Sequence, residues 1–543
     1  MKKVLLAGAI AMAFTGLRAQ QIGEFLSIEP QAQTQRVVMP SSHAFQVLIQ
    51  TGIILPDLSV AQVFPDFTGF VPKNGSSTSG YLCINHEVVP GGVTVLEIEL
   101  NPATQTWDIL SSKNVNFLLL GGSGFNCSGG TTPWGTSITS EETYDQFPDL
   151  NQDGYVDLGW NTEIDPVSGT VVDQDGDGQP DKLWKLGRLK HENVVVHPDR
   201  IRVYQGADDG GFGYLYKFVA DQPEKLGAGK LFVLVMDSAN GDNFSATGRW
   251  VQLQNDTPEQ CNTVQTQAAN VNATNFRRIE DVEVGPDGKI YFAATSPGNI
   301  YRLEDTGEGV AAFETYAARG EYLINHANGS TPYLFEKCDN LVFDCDGNLW
   351  VTEDGEKFHV WVIGASHSTS NPNIRLFMGT PTSTPEPTGN ISGAEPTGIT
   401  FTPDCKYGFM SMQRCGLLNT AVQQDAAGQN IIFNRDATLV FSRSEFLGNS
   451  TGVFETSKLA PARLAPNPAS TYTEVHFEST AGQELTLSIH DQLGRQVADI
   501  PFTSVQGKNT IKIDTFLFPA GVYGVTIRSG ESLIHQAKLS INP

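Results

Sequence analysis

The sequence predicts an all-β chain, a β-propeller followed by a small C-terminal β-sandwich, and three observations carry that reading. A strand, turn, strand unit recurs as VVVHPDRIRVYQG (194–206), VEVGPDGKIYFAA (282–294), LVFDCDGNLWVTE (341–353) and ITFTPDCKYGFMS (399–411). Alternating apolar positions supply the strands, and a Pro-Asp or Asp-Gly centre supplies a tight turn. The copies lie several tens of residues apart, a spacing that suits blades set around a common axis. With 54 Gly and 29 Pro in 543 residues the chain is rich in turn formers, so extended helices are expected to be scarce.

Taken in order, Lys2 and Lys3, the apolar run Val4 to Leu17 and then Arg18 and Ala19 read as a secretory signal peptide over residues 1–19. No later stretch is long and apolar enough for a transmembrane segment, so an exported chain in an oxidising compartment is expected. The propeller is assigned to residues 20–455, with an acidic insertion at 145–184. That insertion holds two aspartate loops, DLNQDGYVD (Asp149, Asn151, Asp153, Asp157) and DQDGDGQPD (Asp173, Asp175, Asp177, Asp181). Alternating oxygens ahead of a glycine suit structural calcium, although Trp160 and Trp184 stand where such loops usually place a closing glutamate. Residues 456–543 comprise a linker with Pro461, Pro466 and Pro468, then ELTLSIHDQLGRQV, NTIKIDTF and AGVYGVTIRSGESLIHQAKLSI, the short alternating strands of a sandwich.

Charge and cysteines narrow the function. A formal net charge of -25 argues against nucleic acid as a partner, because the protein's own field repels a polyanion, and it points to bound cations as compensation. Seven cysteines in an oxidising setting leave at least one thiol over, and Cys127 is taken as that one. Cys83, Cys261, Cys338, Cys345, Cys405 and Cys415 would then form three disulfides, Cys405 with Cys415 across a hairpin being one pairing, the connectivity otherwise open.

The repeats also align their acids. Glu192, Glu280 and Asp339 each lie seven positions before the turn aspartates Asp199, Asp287 and Asp346, and Glu395 lies nine before Asp404. A shift of two preserves side-chain direction on a strand, and equivalent positions on successive blades converge on the axis. Four carboxylates aimed at one small volume need cations between them. The plainer reading has these acids capping turns or pairing with Arg188, Arg277 and Arg278; recurrence in register speaks against it.

Three further stretches, GYLCINHEVVP (80–90), NCSGGTTPWGTSITSEE (126–142) and GRLKHENVVVHP (187–198), resemble signatures of the PhoX-type alkaline phosphatase family. RRIEDVEVGPDG (277–288), CDNLVFDCDGNLW (338–350) and GAEPTGITFTPD (393–404) follow in family order, so the resemblance spans roughly residues 40 to 420. It implies a six-bladed propeller whose axial site holds iron, Fe(3+), with calcium, Ca(2+), and hydrolyses small phosphorylated substrates. It implies Cys127 as the thiolate on iron and Glu87, Glu141, Glu142, Glu192, Glu280 and Glu395 as carboxylate ligands, with Asp339 a further donor. Cys127, Glu280 and Glu395 form the expected catalytic centre, and Arg278 and Lys217 are candidates for phosphate oxygens. Ser140 departs from the family, where a second cysteine is common. His86 and His191, each preceding a glutamate, are either ligand orienters or blade-packing residues.

The C-terminal pattern LAPNP, LSIHDQLGRQV and FPAGVYGVTI resembles the sorting domain read by the type IX secretion machinery, which implies release or attachment at the cell surface. Two other readings compete: a calcium-dependent propeller hydrolase of phytase or lactonase type, which has no use for Cys127, and a non-catalytic exported propeller with structural calcium alone.

Overall fold

The computed structural model describes residues 21–354, 357–383, 393–448, 462–479, 482–490, 496–529 and 532–542. The expected signal peptide and most of the expected linker lie outside these. The chain divides into two compact units at Ser450.

The first unit is a propeller of six blades. Each recurring hairpin forms as the alternation requires, and its first strand is the innermost of a blade: His191–Val196, Ile279–Val284, Cys338–Phe343 and Glu395–Phe401. Pro65–Pro72 and Asn126–Thr131 are the innermost strands of two further blades, whose hairpins lack the Pro-Asp or Asp-Gly turn. The six innermost strands neighbour one another in a closed ring, beginning and ending at Pro65–Pro72. In chain order they define blades 1 to 6.

Blades 1, 2 and 5 are four-stranded meanders. Blades 3 and 4 are fused by Gly248–Gln252 into one nine-stranded sheet. Blade 6 is closed by the beginning of the chain: His43–Gln50 pairs antiparallel with Ala437–Arg443 as the outermost strand. This closure ties the first blade strand in sequence to the last, so the ring has no free end. Apolar side chains fill the spaces between blades; Trp350, Phe377, Met410, Met412 and Phe441, for example, interlock blades 5 and 6.

The acidic stretch at 145–184 is part of the propeller's own sheet. Asn161–Asp165 and Thr170–Val171 are the two outer strands of blade 2, and the two aspartate loops flank them. Trp184 stacks on Tyr155 at 4.2 Å and meets Trp160 edge-on at 4.9 Å. The residues that replace the closing glutamates are therefore an apolar post beneath the loops.

The second unit is a sandwich. One sheet comprises Arg463–Ala465, Tyr472–Ser479 and Gly507–Asp514, and the other Glu484–His490, Gln496–Thr503, Gly521–Ser529 and Ser532–Ile541. Val475, Leu487, Ile489, Ile513, Val525 and Leu539 are buried between them.

Candidate metal centre

Every innermost strand is interrupted near the same end. Ladder register breaks between Pro65 and Thr68, Asn126 and Gly129, His191 and Val194, Ile279 and Asp281, Cys338 and Leu341, and Thr397 and Thr400. A bulged residue leaves the ladder and its side chain is re-aimed. In blades 1 to 5 the residues released at these breaks include Asp66, Cys127, Glu192, Glu280 and Asp339; in blade 6 the donor is Glu395, opposite Gln413. The matched acids of the four hairpins are thus four members of a ring of six donors.

A second tier comes from the residue after each blade's second strand. Glu87, Glu142, Asp208, Asp354 and Arg414 occupy that place in five blades. Arg414 reaches it with φ at 61°, in the left-handed region that a bulky residue enters only where its surroundings hold it. The two tiers, with Arg278, enclose an axial pocket of about 130 Å³ lined by eight carboxyls, one thiol and two guanidiniums.

Three sets of donors within the pocket bring one atom each to within 4.8 Å of the others: Asp66, Glu87 and Cys127; Cys127, Glu142 and Glu192; Glu192, Glu280 and Asp339. Cys127 and Glu192 are shared, so the sets form a chain across the axis. Cys127 Sγ lies 3.2 Å from Glu192 Oε1 and 3.5 Å from Asp66 Oδ2.

The electrostatics follow from burial without enough positive charge. Burial first, and neighbouring carboxylates second, push Glu192 and Asp339 well above the usual carboxylate range. Burial likewise dominates at Glu280 and Glu395, where Arg278 and Arg414 offset it only in part. Asp66 is pushed up to about 7 by burial and Glu87, and Glu142 to about 8 by burial against the pull of Lys190. Burial and four surrounding acids raise the Cys127 thiol as well. Asp208 shows the contrast: burial works against its ionised form, yet Arg278 at 2.6 Å and Lys190 at 2.9 Å hold it down at about 2.

Cations fit this donor set. Glu192 Oε2 is buried without a hydrogen-bond partner, an uncompensated acceptor at the point where two donor sets meet. Carboxylate oxygens suit hard calcium and ferric iron, whereas a thiolate suits iron and is a poor calcium ligand.

A belt of hydrogen bonds holds the ring in place from below. Asn85 donates to the Cys127 and Ser128 carbonyls, Asn193 to the Gly129 carbonyl, and Thr397 to the Asp66 carbonyl. Asp281 accepts from the Leu341 N–H, and Asn340 accepts from the Gly398 N–H while donating to Ser128 Oγ. Each bond joins one blade to another, so the donors are oriented by the closed ring as a whole.

Several sequence expectations need correction. Glu141 does not reach the pocket. Successive strand residues point to opposite sides, and Glu142 takes the axial side. Glu141 is instead fully buried against Lys182 Nζ at 2.8 Å and accepts from Ser123 and from the Gly159 and Trp160 N–H groups. Lys217 is also elsewhere, between blades 3 and 4, paired with Asp305 at 3.1 Å and set over Trp250. Cys405 is bonded to Cys345, not to Cys415. The whole strand Tyr407–Gln413 separates Cys405 from Cys415, a span of about 20 Å at ~3.3 Å per residue, whereas Cys345 lies in the neighbouring blade's turn. Cys83, Cys261 and Cys338 are buried thiols outside any disulfide, so counting cysteines does not isolate Cys127; its neighbours do.

His86 and His191 pack between strands. His86 bonds Thr94 Oγ1 and the Val63 carbonyl, His191 bonds the Gly187 carbonyl, and burial lowers them to about 4 and about 3. In the aspartate loops the oxygens mostly accept from nearby backbone. Asp149 takes the Asp153 and Gly154 N–H groups, Asp173 those of Gly176 and Gly178, and Asp177 that of Gln179. Asn151 donates to Asp153, and Asp157 turns back to the Leu150 N–H. Asp173, Asp175 and Asp181 bring one oxygen each to within 4.8 Å of one another.

Asp66, Asp208, Asp354 and Arg414 escaped the sequence reading. Asp66 sits on a hairpin with no Asp-Gly turn to align on, and the others follow strands instead of preceding turns.

Fold and site together define a six-bladed propeller with a buried polyacid centre built around one thiol. The family model described as alkaline phosphatase PhoX matches residues 94–416, and the chain belongs to that family of phosphatases. Residues 463–542 match the secretion system C-terminal sorting domain, so the protein is exported by the type IX route, secreted or attached at the cell surface. No helix among the described residues is long and apolar enough to cross a membrane.

Among solved structures, Pseudomonas fluorescens PhoX in complex with vanadate, a transition state analogue, is similar at a TM-score of 0.59 and 21% identity, covering 78% of this chain and 99% of that one. At that identity the likeness is one of fold. The periplasmic gluconolactonase PpgL of Pseudomonas aeruginosa aligns at a TM-score of 0.34 and 10% identity, covering 87% of this chain and 99% of that one. No curated protein sequence matches.

Proposed function

We propose that the protein is an exported, metal-dependent hydrolase of phosphate esters that releases phosphate for scavenging, with iron and calcium held in the axial pocket. The observation that carries this reading is the chain of three donor sets joined through Cys127 and Glu192. Cys127 would hold iron. Asp66, Glu87, Glu142, Glu192, Glu280 and Asp339 would hold iron and calcium between them, with Glu395 closing the ring from blade 6. Cations held there supply Lewis-acid charge to a phosphate ester and to the charge that develops on it.

The chain's own residues bind and orient the ester. Arg278 and Arg414 stand at the pocket, with side chains 36% and 47% exposed, and their forked N–H donors match phosphate oxygens. They lie 2.9 Å from Glu280 and 2.8 Å from Glu395. Cations that share those carboxylates would leave the guanidiniums free to turn toward an anion. Pseudomonas fluorescens PhoX, whose fold this unit shares, has been solved in complex with vanadate, a transition state analogue, in keeping with this reading. The aspartate loops, with Asp173, Asp175 and Asp181 foremost, would take structural calcium.

The test is p-nitrophenyl phosphate hydrolysis by the purified full chain together with its metal content. Iron with several calcium ions, both iron and activity being lost in Cys127→Ala, is the expected result. Calcium alone, with activity intact in that variant, favours the phytase-type or lactonase-type alternative. Calcium with no activity favours a binding propeller.

A further inference from the structure

The hairpin repeat breaks its own pattern at one position. Aligned on their turn aspartates, the repeats carry Val195, Val342 and Thr400 where blade 4 carries Glu283. Two residues earlier, Asp281 aligns with Asn193 and Asn340. On the strand Ile279–Val284 the two acids stand at i and i+2 and so share a face. Both follow Glu280 along the strand, deeper than the ring, and neither belongs to any of the three axial donor sets.

Asp281 is buried and Glu283 half-buried, in surroundings that are polar and short of positive charge. Asp281 is 1% exposed; its Oδ2 accepts the Leu341 N–H at 2.9 Å, and its Oδ1 has no partner. Asn193, 3% exposed, stands beside Asp281 and donates through its amide to the Gly129 carbonyl, and its own Oδ1 also lacks a partner. The groups that act most on Asp281 are Glu283, two backbone N–H groups and Asn193, none of them a cation.

Two occupants would relieve such a pair, a shared proton or a metal ion. A shared proton leaves Glu283 as a polar group at a position that the equivalent blades fill with Val195 and Val342 at less cost. A departure from the local rule at one blade only, accompanied by two orphan oxygens, is the mark of a site. We propose that Asp281, Glu283 and Asn193 Oδ1 form a second axial cation site, for a hard divalent ion of the calcium class, one layer beneath the cluster. An ion there joins blade 3 to blade 4, and through the Leu341 N–H on Asp281 to blade 5.

This site stands independently of the phosphatase reading, and calcium and iron per chain in the purified full-length protein test it. Glu283→Val installs the residue that two sister repeats already fold with. The expected result is one calcium fewer per chain, with iron unchanged and phosphatase turnover within about twofold of the parent. An unchanged calcium count overturns the proposal in favour of a shared proton. Loss of iron together with calcium overturns it too, because the acid would then serve the cluster above. Should Glu283→Val fail to accumulate, Glu283→Gln keeps the side-chain volume and the same counts decide. A parent protein without phosphatase activity that still shows the one-calcium difference would sink the proposed function and leave this site standing.

Discussion

The two most acidic regions of the molecule behave in opposite ways. In the aspartate loops Asp153, Asp173, Asp175 and Asp177 are exposed, and the turn itself answers them: the Gly178 and Gly176 N–H groups hold Asp173 below its ordinary range. In the axial pocket burial lifts Glu192, Glu280, Asp339 and Glu395 well above theirs, and two arginines face eight carboxyls. Density of acids along the sequence is therefore a poor guide to the centre. What marks it is burial that the chain's own donors do not offset.

Neighbouring residues repeat the contrast at closer range. Glu141 is as buried as any acid here, yet Lys182, Ser123 and two backbone N–H groups satisfy it within the protein. Glu142 has Lys190 at 2.7 Å and is still pushed up to about 8. The first is a structural ion pair and the second a site residue, although the sequence writes them as one dipeptide.

Changes to the two regions should separate them sharply. Cys127→Ala or Glu192→Gln removes a donor shared by two sets, and phosphate ester hydrolysis should fall by about a thousandfold or more, the equivalent of about 4 kcal/mol of transition-state stabilisation; steady-state rates with metal counts check it. Lys182→Met strands Glu141 as an unpaired buried charge and should cost roughly 3–5 kcal/mol of stability, read from denaturant unfolding, while protein that remains folded keeps its iron.

Chelation comes next. Asp66 rises from 3.8 to about 7 and Glu142 from 4.5 to about 8 in the fold. Folded values above unfolded ones mean that these groups favour the fold at low pH, and that this contribution is lost as pH climbs through about 7 to 8. The melting temperature of chelated protein should accordingly fall between pH 5 and 8, with roughly 1.4 kcal/mol of stability at stake for each tenfold difference in proton affinity between folded and unfolded chain, and loaded protein should stay level. A flat profile in chelated protein would break the contrast between the regions. The smallest effect belongs to Asp173→Asn, which should barely move the melting temperature without calcium, lower calcium affinity in the loop, and leave hydrolysis unchanged.

Much of this architecture is legible in the sequence alone. The four hairpins announce their blades through turn chemistry and alternation, and Glu192, Glu280, Asp339 and Glu395 announce a common direction through their spacing. Asp66 is not legible, because the turn after it, PKNGSS, offers no aspartate for alignment. Arg414 is not legible either: its place depends on where Tyr407–Gln413 ends and on a left-handed backbone step that no periodicity encodes. The disulfide is within reach by a different rule. Cys345 and Cys405 sit at the turns of adjacent repeats, and aligning repeats to each other pairs them where a local hairpin cannot. Tertiary closure supplies the rest, since the belt from Asn85 to Thr397 exists only once six blades meet.

The central claim is a metal cluster built on Cys127, and anomalous scattering from crystals of the loaded protein, recorded on either side of the iron edge, tests it most directly. The expected result is an iron peak within bonding distance of Cys127 Sγ, with further density among Asp66, Glu142 and Glu192. Calcium alone in the pocket, or an iron peak that the Cys127 thiolate does not touch, would contradict it.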